Sequence, residues 1–100
     1  MVKIKVLNKT WSVIVRSDQA HDRRFKDCHA VAILEDRKIH VRKSSFNLVT
    51  IRHELIHCYV HELSFVELDL DDHQIEEFFC ELFAKYGEII IRDSKIIIGG

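Results

Sequence analysis

Proline is absent from this 100-residue chain and glycine occurs only three times, so no linker, low-complexity tract or proline-rich recognition segment divides it. No internal repeat is visible, and the length suits one domain, residues 1–100, with a single modest core. The three cysteines, Cys28, Cys58 and Cys80, form no CxxC pair, and an odd number cannot all be paired. That excludes a disulfide framework and a paired-thiol structural zinc site, and it favours a reducing cytoplasm. The N-terminus has no signal-peptide pattern, and the apolar runs are too short to cross a bilayer. Charge of one sign is also missing: 15 Lys and Arg stand against 16 Asp and Glu, a net charge of -1. Arg23, Arg24 and Lys26 cluster, but a chain that is not basic overall gives no support to nucleic-acid binding. Nothing specifies an oligomeric state.

What is present reads as strands first and helices second. Val2–Val6 alternates apolar and polar residues, the period of a half-buried strand, and Trp11–Val15 reads as its partner after a turn at Asn8-Lys9. Ser17 to Asp27 is polar loop. Ala30–Leu34 and Lys38–Arg42 are a second strand pair around Glu35–Lys38. Ser44 or Ser45 is placed to cap a helix of about Ser45 to Leu63, whose apolar residues recur at helical spacing. Asp71 and Asp72 mark the start of another, with Ile75, Phe78, Phe79, Leu82 and Phe83 as its apolar stripe to about Tyr86. Gly87 either ends that helix or is passed by an extension to near Arg92. Ile96–Ile98 fits a short strand, a docked tail or a disordered end equally well. The expected fold is α+β: a small antiparallel sheet of about four strands, then two long packed helices.

The first helix carries His53-Glu54-Leu55-Ile56-His57, an HExxH motif. Residues four apart lie on one helix face, one turn above the other. Both imidazoles can therefore approach one zinc ion at roughly 2.0–2.1 Å. Glu54 then sits beside the metal, able to take a proton from a water that the metal acidifies. The chain's own His and Glu frequencies give roughly 0.04 chance matches to this motif, so context has to decide.

A catalytic zinc takes three protein ligands and leaves one position open, so two histidines are not enough. His61 continues the stripe of His53 and His57. With turns about 5.4 Å apart, however, its backbone starts far from a shared ion, and a place near substrate or at the surface suits it better. Glu76, Glu77 and Glu81 on the second helix are a further group, for two of which the plain reading is a solvated charge opposite the apolar stripe. His73, at the start of that helix, is a last candidate. Cys58 and Cys80 read as small buried residues, and Cys28-His29 as structural.

The HELIH segment, with Glu77-Phe78-Phe79-Cys80-Glu81-Leu82-Phe83-Ala84 some twenty residues later, resembles small gluzincin metallopeptidases of the ImmA/IrrE type. It is closer still to the short zinc peptidases of phages and prophages. The resemblance covers roughly residues 30 to 90. It implies a zinc cofactor, a peptide or protein substrate and Glu77 as third ligand, with Cys80 at the position of a small residue. It also implies that Ile39-His40-Val41 is the edge strand that binds extended substrate. Two departures bear on the ligand: Cys80 replaces Ala, and Glu81 stands where Asn or Asp is usual, which keeps Glu76 in play. The large second domain that walls the cleft of thermolysin-like enzymes is missing.

The function expected from these residues is metal-activated hydrolysis of a peptide bond, with Glu54 as base. Tyr59, His61, His73 and Tyr86 are the nearby donors for an oxyanion, His61 and Tyr86 being preferred. For Tyr86 the competing reading is core packing. The alternative function is a catalytically weak or inactive zinc-binding protein that recognises peptides on the same scaffold.

Overall fold

The computed structural model describes residues 1–19, 28–63 and 70–99. Strands β1 (Val2–Val6), β2 (Lys9–Arg16), β3 (Ala30–Ile33) and β4 (Lys38–Arg42) precede helices α1 (Leu48–Glu62) and α2 (Asp72–Gly99). This is the expected α+β order. The period-two pattern does what it implies: Ile4, Val6, Trp11, Val13, Ile39 and Val41 all turn inward and are buried. Leu7 and Asn8 make the first turn with φ of 49° and 70°, one residue earlier than Asn8-Lys9. Two successive left-handed residues are the signature of a tight hairpin, at a cost of about 1–2 kcal/mol for a leucine without glycine's freedom.

The sheet runs in the order β1-β2-β4-β3 and is mixed, not antiparallel throughout. β1–β2 and β3–β4 are antiparallel hairpins, but β2 and β4 pair in parallel, from Ser12 opposite Lys38 to Arg16 opposite Arg42. Ile39-His40-Val41 is thus a central segment, hydrogen-bonded on both sides, and the edge strands are β1 and, next to β4, β3. The side chains explain the choice. Ile39 and Val41 are fully buried, whereas β3 offers the small Ala30 and Ala32 on the same face. Part of the expected 17–27 loop, with its basic cluster, and the segment 64–69 lie outside the described residues.

Asn47, rather than Ser44 or Ser45, caps α1: its side-chain oxygen accepts from the Thr50 N–H at 2.9 Å. The serines belong to a 3-10 turn, Lys43–Ser45, that precedes it. At the start of α2, Asp71 accepts from the Gln74 N–H at 2.8 Å while the Gln74 side chain accepts from the Asp71 N–H at 3.0 Å, a reciprocal capping box. α2 then runs 28 residues, through both Gly87 and Ile96–Ile98. Gly87 is buried within the helix, where an added Cβ would lie 3.2 Å from the Phe83 ring. It is a spacing residue, not a stop. Ile97 is fully buried in the common core, which overrides the β preference of its neighbours. Among the described residues no helix is long and apolar enough to cross a membrane.

One apolar cluster joins Trp11, Val13, Ile39 and Val41 of the sheet to Ile51, Leu55, Cys58 and Tyr59 of α1 and Leu82, Ile90 and Ile97 of α2. Polar clamps register the layers. The Arg52 guanidinium donates to the Ser94 hydroxyl at 2.9 Å, tying α1 to α2. At the other end of α1, Glu62 accepts from the Trp11 indole at 3.0 Å and from Arg37 at 2.6 Å. Burial pushes the Glu62 carboxyl up, but these two hydrogen bonds and the Arg37 charge outweigh it and hold it below the usual value of 4.5. A lowered carboxyl adds stability that is full above the unfolded value and is lost as pH falls through the folded one. Urea midpoints should therefore drop on acidification below about pH 4.5. Glu62→Gln should lose about 1.5–3 kcal/mol at pH 7 and flatten that acid limb.

Candidate metal centre

The rotation of α1 is set by what it buries. Ile51, Leu55 and Cys58 face the sheet, and Arg52, Ile56 and Leu63 line hollows shared with α2. The remaining arc, Val49-His53-His57, is exposed. Glu54 shares its stripe with Ile51 and Cys58, three residues before it and four after. It is therefore drawn down between helix and sheet, and only 4% of it is exposed. The i, i+4 histidines have ring centroids 5.0 Å apart. One ligand atom from each of His53, Glu54 and His57 lies within 4.8 Å of the other two. The Cys58 thiol donates to the Glu54 carbonyl at 3.2 Å, and burial pushes that thiol far up, so it is an inert packing group.

Glu54 Oε2 is buried without a hydrogen-bond partner among the described residues. Burial raises its carboxyl above 4.5, and the two imidazoles pull it back only in part. An orphaned carboxylate oxygen beside two imidazoles is what a divalent metal and its water would satisfy, so the donor set fits zinc.

Two clefts meet at this point, sharing Ala30, His53 and Glu54. One, about 330 Å³, is lined also by His29, Val49 and Thr50. The other, about 300 Å³, extends past Ala32 and Leu34 to His57. Together they form a groove between α1 and β3. The Arg42 N–H donates to the His29 carbonyl at 2.9 Å across the β3–β4 ladder. Alternation along an antiparallel pair then turns the backbone of Val31 and Ile33 toward β4, and that of Ala30 and Ala32 toward the open edge.

The remaining residues singled out from sequence lie elsewhere. Glu76, Glu77, Glu81 and His73 are exposed on α2, and none joins the 4.8 Å group. His61 is half-buried edge-on to Trp11. Tyr86 packs against Tyr59, ring centroids 5.1 Å apart, where burial pushes the Tyr59 hydroxyl up. Neither His61 nor Tyr86 borders the two clefts. His29 does, a residue for which sequence reasoning offered only a structural role. No spacing links it to HELIH, and its only signal is that it directly precedes the strand that becomes the edge.

Comparison of the chain with protein-family models, with curated proteins and with solved structures finds no match. The chemistry is therefore read from the residues themselves.

Buried charge without a partner is costly, so Glu54 should weaken the metal-free fold. Glu54→Gln should raise the melting temperature of metal-free protein at pH 7, corresponding to about 1 kcal/mol. A lower melting temperature would show that the carboxylate has a stabilising partner.

Proposed function

We propose that this chain is a zinc-dependent metallopeptidase of the gluzincin kind, acting on a peptide or protein substrate. The observation that carries the reading is the unpartnered Oε2 of buried Glu54, set beside two imidazoles one turn apart at the foot of a groove. His53 and His57 would hold the ion. When bound, zinc supplies a Lewis acid that polarises the scissile carbonyl and brings the pKa of a water to about 7.

The chain's own residues do the rest. Ala30 and Ala32 present backbone donors and acceptors at the sheet edge, where an extended peptide can add as a further strand. Their methyl side chains leave the clefts on either side open to substrate side chains. Glu54, with its raised carboxyl, accepts a proton from the attacking water and returns it to the departing amine. Burial favours the protonated form of Glu54 between the two transfers, against the opposing pull of the imidazoles. A reducing compartment such as the cytoplasm suits a chain with an odd number of cysteines.

The test compares Glu54→Gln with His57→Ala for zinc content and for cleavage of a mixed peptide substrate. Glu54→Gln should keep zinc and lose about 10²–10⁴-fold in rate, while His57→Ala should lose the metal. If both bind zinc as tightly as the parent, the site is wrongly assigned. If the parent binds zinc but cuts no peptide, the groove holds peptides without cleaving them.

A further inference from the structure

We propose that His29 is the third protein ligand of the metal centre, completing a three-histidine set with His53 and His57. This rests on the zinc reading above and replaces the helix-borne carboxylate that the resemblance implied. The positional argument begins with α2. That helix meets α1 along Arg52, Ile56, Tyr59 and Leu63, a different arc from the exposed stripe Val49-His53-His57. A side chain on α2 therefore arrives beside the helix–helix seam and not over the imidazoles. Outside the motif, the residues lining the two clefts are mostly apolar. Beyond the motif, His29 is the one lining residue among the described residues with a metal-ligating side chain.

His29 is also held where a ligand has to be held. Its carbonyl accepts from the Arg42 N–H at 2.9 Å, and the preceding Cys28 carbonyl accepts from the Arg42 guanidinium at 2.9 Å. Arg42 itself is buried and reaches the Asp18 carbonyl at 2.8 Å. The backbone is thus pinned at the mouth of the cleft that also contains His53 and Glu54, while the residue itself is exposed. His29 stands just before β3, ahead of the regular strand alternation, so its direction is not dictated by the pleat. His29 stands outside the 4.8 Å group, so ligation requires its imidazole to swing toward His53 and His57 when the ion binds.

The chemistry suits the site. Three neutral imidazoles leave the whole charge of the cation to offset the buried Glu54 carboxylate, and they leave one coordination position open. A carboxylate ligand would cancel part of that charge.

The experiment measures zinc affinity of the full chain by competition with a chromophoric chelator, and the visible spectrum of the cobalt(II)-loaded protein. Wild type is compared with His29→Ala, Glu76→Gln and Glu77→Gln. Losing an outer-shell partner costs about 10–100-fold in affinity, so losing a direct ligand should exceed about 100-fold. His29→Ala should show that loss and an altered cobalt spectrum, with an unchanged melting temperature in the absence of metal because the side chain is exposed. Both glutamate variants should match wild type. If His29→Ala binds zinc within about twofold of wild type, or if a glutamate variant shows the loss instead, the assignment of His29 is overturned while the zinc reading stands. If wild type binds no zinc, both fall.

Discussion

The packing of α1 is the constraint from which the rest follows. A helix with two adjoining arcs buried, one on the sheet and one on α2, keeps a single arc for polar chemistry. Ile51, Leu55 and Cys58 against Trp11, Val13, Ile39 and Val41 fix its rotation. Each large apolar side chain so buried is worth about 1.5–3 kcal/mol, far more than reorienting two imidazoles could recover. The histidines are exposed because their neighbours are not. Glu54 lies at the boundary between the arcs, and the same rotation that puts His53 and His57 in the groove drives its carboxylate under the surface.

Such a boundary position joins stability to chemistry. A general base is effective when its pKa is raised toward the working pH, and burial is how a protein raises it. The cost is an unsatisfied charge in the apo chain, offset by the core and by the clamps on α1: Arg52 with Ser94, and Glu62 with Arg37 and Trp11. The clamps flank the motif, Arg52 directly before it and Glu62 at the helix's last residue, and leave the motif turns to face the groove.

Much of this was legible in the residues. Strand periods at Val2–Val6 and Trp11–Val15, and the HELIH turn, are local signals and became local structure. What was not legible depends on contacts distant in sequence. Nothing near Ile39 announces that β4 will pair in parallel with β2, because the choice is made by which strand brings the larger apolar side chains, Ile39 and Val41, to the core. The edge strand was accordingly placed one strand late. Gly87 and Ile96–Ile98 carry breaker and β signals that the packing of α2 overrides, through the buried positions 87 and 97. Asn47 outdid two serines as a cap because the 3-10 turn had already used their backbone. At the site, two candidate ligands and a candidate base, His53, His57 and Glu54, were readable from spacing alone. A third ligand from another element is not, since it follows from how the sheet edge meets the helix.

The central claim is that the imidazoles of His53 and His57 share one cation. Anomalous diffraction at the zinc absorption edge, from crystals grown with one equivalent of zinc, tests it most directly. The account predicts a single strong peak within bonding reach of a nitrogen from each histidine and beside Glu54. A peak held by other residues, or none at the motif in a zinc-containing crystal, would contradict it.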